Sequence, residues 1–158
     1  MIVVSDTSPI HYLILIDRIH LLPDLFGTVV IPPAVAQELS HAAAPAQVRE
    51  WIGRRPAWLE VRTPTVTAPK LPRLGAGETQ AISLVHELHA DLLVTDDLDA
   101  RRAAAANGIN VTGTLGVVII ASQRGLIDLA DTVRRLQATT LRLPEELLDE
   151  LLGPDSKD

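Results

Sequence analysis

Cysteine is absent from the 158-residue chain, which excludes disulfides, thiolate metal sites and cysteine nucleophiles. Aromatic side chains are scarce too, with one Phe, one Tyr and two Trp. A stacking platform for bases is therefore not expected, and contacts to any nucleic acid should run through phosphates. No uninterrupted apolar run approaches the roughly 20 residues of a membrane span, and the N-terminus opens on Ile2-Val3-Val4 with no basic leader. The expected location is the cytoplasm. A Gly-Lys-Ser/Thr phosphate loop and a serine nucleophile elbow are also missing. His11, His20, His41, His86 and His89 are scattered, form no zinc motif, and read as surface or packing residues.

What the chain has in quantity is aliphatic side chain. Hydrophobic residues make up 47% of it, enough for one ordinary domain with a substantial core, in a length too short for two. The net charge of −6 looks adverse to a nucleic-acid substrate, but it is unevenly spread. Residues 144–158 carry six acids and one base, leaving 14 acids against 13 bases in residues 1–143. If several of those acids face metal ions, the remaining surface is mildly basic, so acidity does not exclude such a substrate.

Short aliphatic runs alternate with helical patterns. Ile2–Ser5, Thr28–Ile31, Leu92–Thr95 and Ile109–Val111 read as strands, and Trp58–Thr67 as an extended, edge-like segment. Helices are expected from Pro9, from Leu21, from Pro32-Pro33 to Ser40, and over Ala46–Arg55. Further helices run from Gly75-Ala76-Gly77-Glu78 through Leu88, from Asp97 to Asn107 with Gly108 as cap, and over Leu115–Gln123, Asp128–Gln137 and Pro144–Leu152. The strands lack the polar alternation of a half-solvated sheet. The pattern thus predicts an α/β fold, a three-layer α/β/α sandwich around a mostly parallel central sheet. In this reading residues 1–143 are the domain, and residues 144–158 are an acidic C-terminal helix and tail packed on the domain or on a partner, frayed over 154–158.

Open parallel sheets bind ligands beyond the carboxyl ends of their strands, and acids gather there. Asp6 follows the first strand directly, and Asp96, Asp97 and Asp99 follow the strand ending at Thr95. Each has an ordinary alternative: Asp6 or Ser8 as cap of the helix at Pro9, and the later acids as complements to a helix dipole. Three carboxylates within four positions repel one another unless cations or donors compensate. Asp97 is the expected inward ligand, with Asp99 as an auxiliary and Asp96 as the helix cap. Glu78 precedes Ala81, Ile82 and Val85 on or beside the stripe expected to face the sheet, where a carboxylate is rare unless paired or coordinated. An exposed first-turn Glu is the alternative. Gly75 and Gly77 allow that helix start to approach a phosphate or carboxylate site. Glu38 sits late in its helix, near Val35 and Leu39, where negative charge calls for compensation.

Together these acids can hold one or two Mg2+ or Mn2+ ions, hard cations that take oxygen ligands and generate hydroxide from water for in-line attack on a phosphodiester. Thr7, Ser8, Thr112 and Thr114 are candidate supporting donors or phosphate contacts, or ordinary turn residues. Arg49, Arg54, Arg55, Arg62, Lys70 and Arg73 make the middle of the chain basic. Arg101-Arg102 add charge near the acids, able to guide RNA phosphates or to form a solvated helix face. Arg101 can also pair with a carboxylate when no metal is bound.

The order and separation of these segments resemble the PIN-domain nucleases, especially VapC-like ribonuclease toxins of the Asp-Thr-Ser-Pro branch. The likeness is carried by Ile2-Val3-Val4-Ser5-Asp6-Thr7-Ser8-Pro9, by Val29-Val30-Ile31-Pro32 with Val35 and Glu38, and by Gly77-Glu78. It continues in Leu92-Leu93-Val94-Thr95-Asp96-Asp97 with Arg101 and in Gly113-Thr114-Leu115-Gly116, spanning residues 1–143. The resemblance implies a metal-dependent endoribonuclease with Asp6, Glu38, Glu78 and Asp97 as its acidic set and Asp99 as an additional member. It leaves open which of Asp96 and Asp97 touches the metal. It further implies an RNA substrate, a small cognate antitoxin and a homodimer. One alternative is a PIN-like RNA-binding or protein-interaction domain without turnover. Another is a phosphoryl-accepting regulatory domain, which fits poorly with Lys70 as the sole nonterminal lysine.

Overall fold

A computed structural model describes residues 1–69 and 71–153; Lys70 and the tail expected over 154–158 lie outside the described residues. The chain runs β1 (Val3–Ser5), α1 (Thr7–Leu15), α2 (Leu21–Phe26), β2 (Val29–Ile31), α3 (Pro33–Ser40), α4 (Ala46–Gly53) and β3 (Leu59–Val61). It continues with α5 (Ala76–Leu88), β4 (Leu92–Val94), α6 (Leu98–Ala106), β5 (Val111–Thr112), α7 (Thr114–Gln123), α8 (Leu129–Gln137) and α9 (Glu145–Leu152).

The five strands form one sheet in the order β3-β2-β1-β4-β5, and every pairing is parallel. Alternate residues face opposite sides, as strand geometry requires. Val3, Val29, Ile31 and Val94 join the core built with α1, α2, α4, α7 and α8. Val4, Val30 and Leu93 join the core built with α5 and α6. This is the expected three-layer α/β/α sandwich. Strands this short hold because both faces are covered, each fully buried aliphatic side chain contributing roughly 1.5–3 kcal/mol. Leu148, Leu151 and Leu152 of α9 lie half-buried against the first of these cores. Among the described residues no helix is long and apolar enough to cross a membrane.

The strand order locates the site. From β1 the chain builds outward through β2 and β3 on one side, then returns to place β4 and β5 on the other. The direction therefore reverses between β1 and β4, and open sheets bind ligands in the crevice at such a point. Asp6 stands at the end of β1, and Asp96 and Asp97 follow β4.

Boundaries differ from the sequence expectation for local reasons. Helix α1 begins at Thr7 rather than Pro9 because Asp6 caps it. Only Leu59–Val61 of the expected extended segment joins the sheet, at its edge. Strand β5 lies later than expected, with Val111 and Thr112 opposite Leu93 and Val94. Gly108 follows α6 at φ +72, the left-handed turn that glycine makes without strain.

Candidate functional site

Asp6 leaves β1 at the switch point. Its N–H donates to the Val94 carbonyl at 2.8 Å, which prolongs the contact between β1 and β4 by one step. Its Oδ1 accepts from the Thr7 N–H at 2.8 Å and its Oδ2 from the Thr95 hydroxyl at 2.9 Å. The residue is only 4% exposed. Burial pushes its pKa up from 3.8 to about 6, nearby Glu78 and Glu38 push the same way, and the bonds from Thr7 and Thr95 offset this only in part.

Helix α5 brings its first turn against Asp6 because Gly77 has no side chain. A Cβ there would stand 2.8 Å from Glu38 Oε1 and 3.4 Å from Asp6 Oδ1. Asp6 and Glu38 thus meet at the α5 terminus. Glu78, half-buried in that turn, folds back over Gly75, where a Cβ would stand 2.5 Å from its Oε2. Glu38 is exposed near the end of α3 and accepts a hydrogen bond from the Thr7 hydroxyl. That bond supplies the compensation its helix position demands.

The cap of α6 is not the expected one of the two adjacent acids after β4. Asp97, not Asp96, caps α6, its Oδ2 accepting from the Ala100 N–H at 2.8 Å. Asp96 instead turns toward α1 and α7. Its Oδ2 accepts from the Ser8 hydroxyl at 2.8 Å and the Thr114 hydroxyl at 2.6 Å, and its Oδ1 from the Thr114 N–H at 2.7 Å. Ser8 and Thr114 are therefore joined through one carboxylate across 106 positions of chain.

Asp6, Glu38, Glu78, Asp96 and Asp97 line one open cavity of about 400 Å³. None of the five is in an ion pair among the described residues. The structure does not bring Asp99 there; it is exposed on the first turn of α6, outside the lining. Arg101 and Thr112 line a neighbouring cavity, and Arg101 pairs with no carboxylate among the described residues. His11 and Tyr12 line the acidic mouth although the sequence reading gave them no role. The signal was present: they follow Thr7 and Ser8 by four positions, and so share their face of α1. Burial holds the His11 imidazole below its usual pKa, which keeps the ring neutral near pH 7.

The donor chemistry suits a hard divalent cation, being carboxylate and hydroxyl oxygen apart from the His11 imidazole. The buried Asp6 is the group such a cation would relieve. The spacing is another matter. Among the described residues no group of three or more His, Cys, Asp or Glu is placed to hold a metal ion.

A parallel α/β/α sheet with carboxylates converging at its switch point defines the class of domain. The family model described as DUF3368, PIN domain, matches residues 2–155, and the chain belongs to this PIN-domain family. A solved structure with a similar fold is a PilT N-terminus domain protein, SSO1118, from the hyperthermophilic archaeon Sulfolobus solfataricus P2. It is 17% identical at a TM-score of 0.52, with 91% of this chain and 100% of that chain covered. Comparison with the curated proteins gives no match.

Proposed function

We propose that the chain is an endoribonuclease whose mouth would hold Mg2+ or Mn2+ through Asp6, Glu38 and Glu78, with Asp97 contributing. The observation that carries this reading is Asp6, a buried carboxyl raised to about 6 and lacking any cationic partner among the described residues. Buried negative charge without a partner is costly, and a bound cation removes the cost. The ion would supply a water acidic enough to be deprotonated near neutral pH. The chain's own part is orientation: Thr7 and Thr95 fix Asp6, the Thr7 hydroxyl fixes Glu38, and Ser8 and Thr114 fix Asp96. Toxin action restrained by a small antitoxin, a homodimer in the cytoplasm, and residues 144–158 as an appendage to a 1–143 nuclease unit are narrower parts of the same proposal. The toxin, antitoxin, dimer and 1–143 readings rest on the VapC-like resemblance, the cytoplasmic one on the sequence composition.

A second reading is a PIN-like domain that binds RNA or a protein without turnover. It is favoured by the absence, among the described residues, of a group placed to hold a metal and by the engagement of Asp96 and Asp97 with Ser8, Thr114 and Ala100. As placed, the mouth matches this second reading more closely, because the first requires Glu38 and Glu78 to close on Asp6. Incubation of single-stranded RNA with the purified protein across Mg2+ and Mn2+ titrations separates the two. Cation-dependent cleavage that Asp6→Asn and Glu78→Gln abolish, with circular dichroism unchanged, is expected. Binding with no cleavage at any cation concentration establishes the second reading, and undiminished cleavage by both variants removes the assigned site.

A further inference from the structure

Beside the acidic mouth lies a second cavity of about 430 Å³, within the roughly 300–1,000 Å³ of small-ligand sites. The two share Asp96 and Leu141 as walls, so they are adjoining chambers. Their chemistry is opposite. Arg101 of α6 and Arg142, between α8 and α9, line the second cavity, and neither is in an ion pair among the described residues. The rest of the wall is largely aliphatic, with Leu115 and Ile119 from α7 and Leu143 and Leu147 from the chain leading into and through α9.

Gly113 shapes the end nearest the mouth. A Cβ there would lie 3.1 Å from Arg101 Nη1 and 2.6 Å from Asp96 Oδ1. The missing side chain therefore lets the guanidinium reach the boundary between the chambers. The two groups are not in an ion pair among the described residues, and Asp96 accepts instead from Ser8 and Thr114. Arg101 thus lines the cavity without an ion-pair partner among the described residues. Two unpaired guanidinium groups suit phosphate, which arginine binds in a fork, and the aliphatic wall suits the flat apolar face of a sugar and base.

We propose that this cavity seats the nucleotide adjoining the phosphodiester at the Asp6 mouth, with Arg101 and Arg142 holding its phosphates and Leu115, Ile119, Leu143 and Leu147 covering its apolar face. This rests on the RNA reading above, with or without turnover. Continuity with the mouth orients the strand: it passes over Asp96 and Leu141 from the cationic chamber into the acidic one.

The test is fluorescence anisotropy with a short, labelled single-stranded RNA in EDTA, which holds turnover off, over a KCl series. Wild type is compared with Arg101→Gln, Arg142→Gln and, as a control, Arg124→Gln, an exposed cation at the far end of α7. Each cavity variant should weaken binding by about five- to tenfold and reduce the slope of log affinity against log salt by about 0.7, with the control unchanged. If wild type binds RNA and both cavity variants behave like the control, the nucleotide seat is overturned and the RNA reading stands. If wild type binds no RNA, both fall. A monomer–dimer equilibrium that Arg142→Gln shifts in sedimentation, with RNA affinity untouched, makes the cavity an interface between copies and also overturns the proposal.

Discussion

Asp6→Asn removes a charge from the mouth while leaving in place what the carboxylate does for the backbone. Asn is as good a helix N-cap as Asp, so its Oδ1 can keep the bond from the Thr7 N–H. Its amide can donate to the Thr95 hydroxyl, which turns from donor to acceptor. The electrostatic change is larger. Asp6 has a folded pKa of about 6 against 3.8, so the folded state binds its proton more tightly than the unfolded chain does. Its favourable contribution is accordingly greatest below pH 3.8 and is lost as pH rises through about 6. The full loss is about 3 kcal/mol. Leaving the Thr95 proton without its acceptor takes back about 1 kcal/mol. The variant should therefore be about 2 kcal/mol more stable than wild type at pH 7.5, or roughly 4–8 °C in thermal midpoint. The advantage should vanish by pH 4. Urea unfolding of both proteins in EDTA at a series of pH values reads this directly. A variant less stable than wild type at pH 7.5, or a difference that does not change between pH 4 and 7, refutes the reasoning. Added Mg2+ should narrow or reverse the ranking, because a cation that binds only the folded wild type stabilises it.

Gly77→Ala should keep or raise the thermal midpoint, since alanine is favoured over glycine in a helix by up to about 1 kcal/mol. The new Cβ crowds the far end of Glu38 and touches Asp6 Oδ1 at ordinary contact distance, so Mn2+ binding by calorimetry should weaken at least about fivefold; unchanged affinity would count against Glu38 as a ligand. Asp96→Ala strands the Ser8 and Thr114 donors and should cost about 2–3 kcal/mol in urea. Asp97→Ala loses a single cap bond, about 1 kcal/mol, and Asp97→Asn only a few tenths. The reverse order would refute the clamp and the cap as described.

The sheet is legible in the sequence because strands covered on both faces read as unbroken aliphatic runs, as Val3-Val4 and Leu92-Leu93-Val94 do. So is the gathering of Asp6 and the acids after Thr95, since the ends of parallel strands are where loops diverge. The division of labour between Asp96 and Asp97 is not. Two adjacent aspartates look alike locally, and what distinguishes them is Ser8, 88 positions earlier, and Thr114, 18 positions later. The start of α1 is missed for a related reason: Asp6 and Ser8 both have the chemistry of a cap, and only the position of Asp6 at the end of β1 settles which acts. Glu78 is anticipated on the sheet-facing stripe, but its carboxylate turns back over Gly75 and leaves it half-buried. The second cavity is invisible in sequence because its arginines and leucines come from α6, α7 and the chain after α8.

The long reach of the Asp6 and Asp96 hydrogen bonds has a consequence for biosynthesis. Asp6 finds its hydroxyl at Thr95, and Asp96 its clamp at Thr114. At about 5–20 residues per second, translation separates Asp6 from Thr114 by on the order of ten seconds. Through most of that interval the nascent chain carries Asp6 with Thr7 but without Thr95, and Asp96 has no clamp until Thr114 has been made. Such an arrangement delays the assembly of the acidic mouth until most of the chain has been made.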